Sequence, residues 1–295
     1  MGRRSRSNHA APPPSCPRGA PPPFEVVPLL VRVLAGNVVT AAMVAACLNT
    51  IDATVLRRLH PAIAVAVADV PWADTTTTVC DVKRWRAALP AAEGCTLSRG
   101  SPQECEMVCD ADIAHLPPTL RLLDVSHCER LTRLASLAHL AALEVLNCGN
   151  TSIVAAGVAH LPPSLRELRM NFCILHKDSD FSHMRALRVL ECSGLKSVLG
   201  AATIASLPPS LEVLDIGLSA SGIENENRAW PPGGSLAHLT RLRTLRVART
   251  TCIDAPALAT FPSALRSLDI ERCTLTTSVS FAHLHCLCTL NAYDS

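Results

Sequence analysis

Six histidines recur in one short context: His115, His139, His160, His183, His238 and His283 each precede an apolar residue in AHL or SHM. If the segments that carry them stack at strand spacing, about 4.8 Å, equivalent imidazoles come close enough to share a metal ion. A residue that returns with every structural unit is accounted for by the turn it builds, so neither a metal nor a cofactor is expected. The cysteines, 14 in all, lead to a similar expectation. Cys128, Cys173 and Cys273 share one column of the repeat set out below, and Cys148 and Cys192 share another. Members of one column lie two or more units apart, at least about 10 Å, beyond the roughly 7 Å that a disulfide spans between Cα atoms. These five are expected as unpaired, buried thiols suited to a reducing, cytoplasmic compartment. Cys105, Cys109 and Cys95 are spaced loosely for zinc and have no second pair, which makes them loop or cap thiols. The chain has no glycine-rich phosphate loop, no GxSxG and no HExxH, and no Cys and His that a repeat would bring together. An enzyme is not expected.

The positions of these residues are set by a repeat. Counting from the leucine that opens each copy, the chain reads LRLLDV from Leu120, LEVLNC from Leu143, LRELRM from Leu165 and LRVLEC from Leu187. It continues with LEVLDI from Leu211, LRTLRV from Leu242, LRSLDI from Leu265 and LCTLNA from Leu287. The steps between openings are 23, 22, 22, 24, 31, 23 and 22 residues. A period of this length is the mark of a solenoid. Apolar residues at offsets 3 and 5 differ by two, the side-chain period of a β-strand, so Leu168 and Met170 point inward together. Such a strand cannot bury its apolar face alone. The copies are expected to stack, with their strands in one parallel sheet.

At offset 8 come Cys128, Cys173 and Cys273, with Thr151, Ser219 and Thr250 in other copies, small groups able to hydrogen bond where the backbone leaves the ladder. A longer period of about 45 residues lies on top of the first. The copies opening at Leu120, Leu165 and Leu211 follow LPPT or LPPS, and the copy at Leu265 follows FPSA; the alternate copies follow LAHLAA, FSHMRA, LAHLTR and FAHLHC. Proline ends helices. Any helix in SIVAAGVAH, 152–160, must stop before Pro162, which places short helices or turns on the convex side and strands on the concave side.

The LxxLxLxxC pattern resembles that of leucine-rich repeat proteins over 116–295. The LPPSLRxLD variant resembles a family of trypanosomatid leucine-rich repeat proteins and is also similar to bacterial effector repeats. The resemblance implies an α/β horseshoe with a parallel β-sheet on its concave face and a small helical N-terminal block.

Three regions are expected: a basic, proline-rich disordered tail at 1–23, a helical block at 24–115, and eight repeats at 116–295. The tail lacks the apolar core of a secretory leader. Segment 24–48 is the most apolar, but Glu25, Arg32 and Asn37 interrupt it short of the roughly 20 residues a bilayer requires, so core helices are expected and a membrane span is not. Further helices broken by Pro28, Gly36 and Pro61 suit a cap over the open solenoid end. This block also weakly resembles the F-box, in PLLVRVL at 28–34, VAACL at 44–48 and VCDVKRW at 79–85. That resemblance implies docking to a ubiquitin-ligase adaptor, although the usual LP-x-E opening is absent. The chain stops at LNAYDS without a polar closing segment, from which a truncated product or a partner over that end is expected.

Function is expected on the concave face. Offset 4 runs Asp124, Asn147, Arg169, Glu191, Asp215, Arg246, Asp269 and Asn291, and offset 2 runs Leu122, Val145, Glu167, Val189, Val213, Thr244, Ser267 and Thr289. With Asn171 and an anchor at Trp230, in the insertion SGIENENRAWPPGG at 221–234, these mixed charges and small apolar groups suit a protein or peptide ligand. A net charge of +2 makes no electrostatic case for nucleic acid.

Overall fold

The structure is a computed structural model and describes residues 32–33, 43, 47–97, 108–132, 135–156, 158–195, 199–218, 229–276 and 279–295. The expected tail at 1–23 lies outside the described residues, as do most of the apolar segment 24–48, Cys105 and Ser219.

Nine three-residue strands form one parallel sheet in strict chain order. They are β1 Gly94–Thr96, β2 Leu122–Asp124, β3 Val145–Asn147, β4 Glu167–Arg169, β5 Val189–Glu191, β6 Val213–Asp215, β7 Thr244–Arg246, β8 Ser267–Asp269 and β9 Thr289–Asn291. The register is exact to the repeat: Leu123, Leu146, Leu168, Leu190, Leu214, Leu245, Leu268 and Leu290 stand side by side. All but the last of these leucines are buried, and their offset-5 companions Val125, Cys148, Met170, Cys192, Val247 and Ile270 are buried with them. Leu290, on the edge strand, is 45% exposed. The leucine-rich repeat solenoid expected from the spacing is the fold observed.

The inter-coil ladder outlasts the strand. The offset-7 amide of one coil donates to the offset-6 carbonyl of the next, as from His127 to Gly149 at 2.9 Å and from Phe172 to Ser193 at 3.0 Å. In most coils the residue that makes this bond is left-handed, the exception being Leu218, which donates to Ala248 at 2.9 Å. His127, Asn150, Phe172, Gly194, Arg249, Arg272 and Asp294 all have φ between 53° and 64°, and only one of them is glycine.

The longer period has a structural counterpart. A short helix precedes each LPP or FPS copy: α4 Asp110–Ile113 before Pro117, a 3₁₀ turn Ile153–Ala156 before Pro162, α5 Ala201–Ser206 before Pro208 and α6 Ala255–Ala259 before Pro262. No helix precedes the alternate strands among the described residues. Both kinds of copy then enter the strand through the same turn, closed by Leu165 N–H to the Pro162 carbonyl in one kind and Leu187 N–H to the Met184 carbonyl in the other. The second proline of LPP sits where a turn favours a fixed φ. The residue after it ties the coils together: Ser164 and Ser210 donate to Leu143 and Leu187 carbonyls at 2.7 Å, and Thr119 to that of Ala92 at 2.9 Å.

The boundary expected at residue 115 moves. β1, which does not carry the repeat spelling, pairs in register with β2, so the sheet begins within the block set apart as 24–115. Cys95, expected as a cap or loop thiol, is a fully buried member of this strand. In front of β1 stand three helices, α1 Thr50–Leu56, α2 Pro61–Ala68 and α3 Val82–Ala88. Pro61 separates α1 from α2 as expected, and it does so by opening α2 at the first-turn position that has no need of its amide hydrogen. These helices share a continuous apolar core with the repeats, through Ile63, Val67, Trp72, Val82 and Leu89. Gly94 lies against the Ala73 backbone, where a Cβ would approach the Ala73 carbonyl carbon to 2.6 Å.

Asp74 fastens the block. Its carboxylate accepts from the Thr50 amide at 2.8 Å and from the Thr76 amide and hydroxyl, both at 2.7 Å, linking the start of α1 to the loop before β1. Burial works to raise this carboxyl, but the hydrogen bonds from Thr76, Thr50 and Thr77 outweigh it and hold it well below the usual carboxylate range. A folded value below the unfolded one, about 3.9, means that the stabilisation is complete above that pH and is lost as pH falls below it. Acid titration followed by circular dichroism is expected to show a loss of stability below about pH 4 that Asp74→Ala lacks. That variant is expected to lose about 1–2 kcal/mol at pH 7 by denaturant titration.

Candidate functional site

Because offsets 3 and 5 turn inward, offsets 2 and 4 form two parallel columns on the outward face of the sheet. Leu122, Val145, Val189 and Val213 are half-buried there, an apolar strip crossed only by Glu167, and it gives way to Thr244, Ser267 and Thr289 toward the far end.

The offset-4 column is paired along its length. Asn147 donates to Asp124 at 3.1 Å, Arg169 Nε meets Glu191 at 3.3 Å, Arg246 meets Asp215 at 3.6 Å, and Asn291 donates to Asp269 at 3.1 Å. Arg169 also reaches Glu167 at 3.0 Å, so that one guanidinium is held between two carboxylates. The aspartates and asparagines have a second task. Asp124, Asn147, Asp215 and Asp269 each accept the amide two residues on, from Ser126, Gly149, Gly217 and Glu271, at 3.0–3.3 Å. This closes the turn out of the strand. Asn171, expected to contact ligand, instead accepts from the Ser193 amide and hydroxyl at 2.8 and 3.0 Å, bracing adjacent coils.

The structure therefore brings together Glu167, Arg169, Glu191 and Asp215 at the centre of the face, with Asp124 and the Arg246–Asp269 step on either side. It removes Trp230. That side chain is 6% exposed, donates its indole N–H to the Gly234 carbonyl at 2.9 Å and lies 5.6 Å from the Phe261 ring between centroids. The described end of the insertion folds back on the solenoid, so Trp230 is a core residue and not an exposed anchor.

Sequence reasoning missed a third column, at offset 1. Arg121, Arg166, Arg188, Arg243 and Arg266 stand exposed beside the strand entries, with Glu144 and Glu212 between them. Arg121 pairs with Glu144 at 2.6 Å and with Glu93 at 3.6 Å, and Arg188 with Glu212 at 3.6 Å. The signal was present in the letter after each opening leucine. It lies outside the strand alternation, where attention to offsets 2 and 4 did not reach.

Two of the repeat histidines tie adjacent coils together in the turns, whereas His160 and His283 bury Nε2 without a partner among the described residues. His183 and His238 place Nε2 at 3.3 and 3.0 Å from the Leu161 and Leu207 carbonyls of the preceding coil. His160 is held below its usual pKa by burial, with His183 nearby adding to the effect. Among the described residues no group of three His, Cys, Asp or Glu side chains could hold a metal ion.

The cysteine geometry needs one correction. Treating the two columns separately hid the fact that Cys148 and Cys173 belong to adjacent coils, where Cys173 Sγ donates to the Cys148 carbonyl at 3.1 Å. The Cys173 thiol is drawn below its ordinary range, first by its hydrogen bond with the Cys148 thiol and then, against burial, by the Thr151 amide and hydroxyl and the Asn150 amide. Cys148 is driven up by the same hydrogen bond and by burial. The described cysteines, these two included, are unpaired covalently. Native-state alkylation read by mass spectrometry is expected to label Cys47, Cys80, Cys252, Cys286 and Cys288, which are exposed. Cys95, Cys128, Cys148 and Cys192 are expected to react only after unfolding.

Burial lifts the Asp215 carboxyl above its ordinary range, with Glu191 adding to the rise and Gly217 and Arg246 opposing it. For a raised carboxyl, the contribution to stability is full below the unfolded pKa and is lost as pH rises through the folded value. Asparagine does the same turn-closing work at Asn147. Asp215→Asn is therefore expected to fold, with a Tm at pH 7 equal to or above the parent's and a smaller change between pH 4 and pH 7, measured by thermal melts at both.

No family model and no curated protein matches the chain. Solved structures do. An internalin (inlF) from Listeria monocytogenes is 16% identical with a TM-score of 0.50, over 74% of this chain and 66% of that one, just under two thirds of its length. The functional domain of InlJ from Listeria monocytogenes, which includes a cysteine ladder, is 14% identical with a TM-score of 0.44, over 77% of this chain and 62% of that one. A TLR13–ssRNA13 complex matches at 17% identity and a TM-score of 0.44, over 70% of this chain and 33% of that one. With the in-register sheet, the internalin likeness assigns the chain to the leucine-rich repeat fold.

Proposed function

We propose that this chain is a non-enzymatic protein-interaction scaffold whose ligand, a protein or peptide segment, lies across the outward face of β2 to β6. The observation that carries this is the half-buried strip Leu122, Val145, Val189 and Val213 running beside the Glu167–Arg169–Glu191 cluster. Apolar groups flanked by a fixed charge pattern supply burial and register at once. Glu167 and Glu191 flank Arg169 and Asp215 follows Glu191 in the column, so basic residues in the ligand match the charge that the column leaves over. The overall charge of +2 supports protein over nucleic acid as partner. Free thiols support a cytoplasmic setting. Kinship with the trypanosomatid repeat family rests on the LPPS copies and belongs to the same proposal.

Partners captured by the full chain identify the ligand, and Val189→Glu and Val213→Glu test the face. Each variant is expected to lose at least about tenfold in affinity for a captured partner, as a charge placed in an apolar contact does, while keeping the parent circular dichroism. Charge reversal at Arg169, Glu191 and Asp215 is expected to change partner selection. Retention of every partner by all these variants would remove the sheet face from consideration.

The F-box-like reading, in which the N-terminal block docks a ubiquitin-ligase adaptor, stands second. PLLVRVL and VAACL lie mostly outside the described residues. VCDVKRW buries Val82 and Trp85 against the cap. A pull-down of the adaptor by the full chain decides it.

A further inference from the structure

The chain has three tryptophans. Trp72 donates its indole N–H to the Val67 carbonyl and Trp230 to that of Gly234, both at 2.9 Å. Trp85 is as deeply buried, 7% exposed, yet its Nε1 has no acceptor among the described residues. Neither has Arg57 Nη1, which is also buried. A buried donor left unmatched keeps its full desolvation cost. Two such donors in one place call for an acceptor from outside.

Both line the same cavity, a cleft of about 620 Å³ between α1, α2 and α3 that is open to solvent on one side. The volume is within the range of clefts that take small ligands, about 300–1,000 Å³. Arg58 and Arg84 stand at its wall, and Ile51, Val79 and Ala88 give it an apolar side. The one carboxylate in the lining, Asp81, is committed to capping α3, accepting the Arg84 amide at 2.9 Å. The lining hydroxyls of Thr50 and Thr54 are spent on Asp74 and on the Ile51 carbonyl. Among the described residues the ion pairs leave out all three arginines. What sets this cleft apart is that its arginines stand beside two buried donors that lack a partner, Arg57 Nη1 and Trp85 Nε1.

We propose that the cleft between α1, α2 and α3 is a second binding site, for an acidic peptide segment whose carboxylate or phosphate oxygens satisfy Arg57 Nη1 and Trp85 Nε1. Arg58 and Arg84 hold the flanking acids, and the apolar wall takes the methylene groups between them. Guanidinium forks and an indole N–H are donors only, so the site favours oxyanions, whose bonds to them are charge-assisted, over neutral amides, which offer one uncharged acceptor oxygen. The open side leaves room for a peptide to lie along the cleft with its ends in solvent. The site is independent of the sheet face.

Fluorescence polarisation on the full chain tests it, with labelled octapeptides of alternating Glu and Ala, of phosphoserine and Ala, and of Gln and Ala. At least one acidic probe is expected to bind saturably, and the Gln probe at least about tenfold more weakly. Arg57→Gln and Arg84→Gln are each expected to weaken binding by about tenfold. Trp85→Phe, which keeps the ring and removes the N–H, is expected to cost about threefold or more. The thermal midpoint should not fall in Arg57→Gln or Arg84→Gln, because neither side chain gives up an ion pair among the described residues. The ratio of the two acidic probes tells carboxylate from phosphate. Absence of saturable binding, equal binding of the Gln probe, unchanged affinity in the two arginine variants, or occupation by inorganic phosphate that no peptide displaces would each overturn the proposal.

Discussion

A single coil of this protein has nothing to bury its leucines against except the next coil. The parallel ladder between coils is therefore the constraint to which the rest answers. It fixes the register, which in turn fixes which letters face inward. Ser164, Ser210 and Thr119 reach back to a carbonyl one coil away, and Cys173 and Cys273 do the same at the other end of the strand. These side chains sit where the backbone leaves the ladder, and each replaces one of the hydrogen bonds that the departure would otherwise leave unmade.

The same constraint explains why the outward face is only partly available for recognition. Asp and Asn at the strand ends are spent first on closing a turn and then on each other, so a charge in that column is not by itself a contact. What stays available is defined by departures from the rule: Glu167 within the apolar strip, Arg169 and Arg246 where an aspartate would close the turn, and Glu191 beside a lifted Asp215.

Much of the solenoid was legible in the sequence because its forces are periodic. The inward leucines, the helices stopped ahead of Pro162 and the small offset-8 residues all follow from spacing alone. The first strand was not legible. Gly94, Cys95 and Thr96 carry no leucine signature, and their place in the sheet is set by the Trp72 carbonyl and the Glu93 carbonyl on either side. Trp230 has the sequence context of an anchor, a large apolar residue beside two prolines; the Phe261 ring and the Gly234 carbonyl that claim it are distant or featureless in the pattern. The Cys148 and Cys173 pair was hidden for a geometric reason, since contact between unlike columns on adjacent coils is not visible when each column is followed separately. The cleft beside Trp85 was beyond reach altogether, because no repeat places α1, α2 and α3.

The left-handed bend after β2 to β5 and β7 to β9 carries a further implication. Glycine takes that conformation at little cost, whereas other side chains give up about 1 kcal/mol or more there. Phe172, Arg249 and Arg272 occupy it nonetheless, in a row along one rim of the sheet. The backbone would be better served by glycine at every one of these places, as it is at Gly194. The rim is thus a margin on which side chains are carried against local preference, and the stability this forgoes marks it as the part of each coil least dictated by folding.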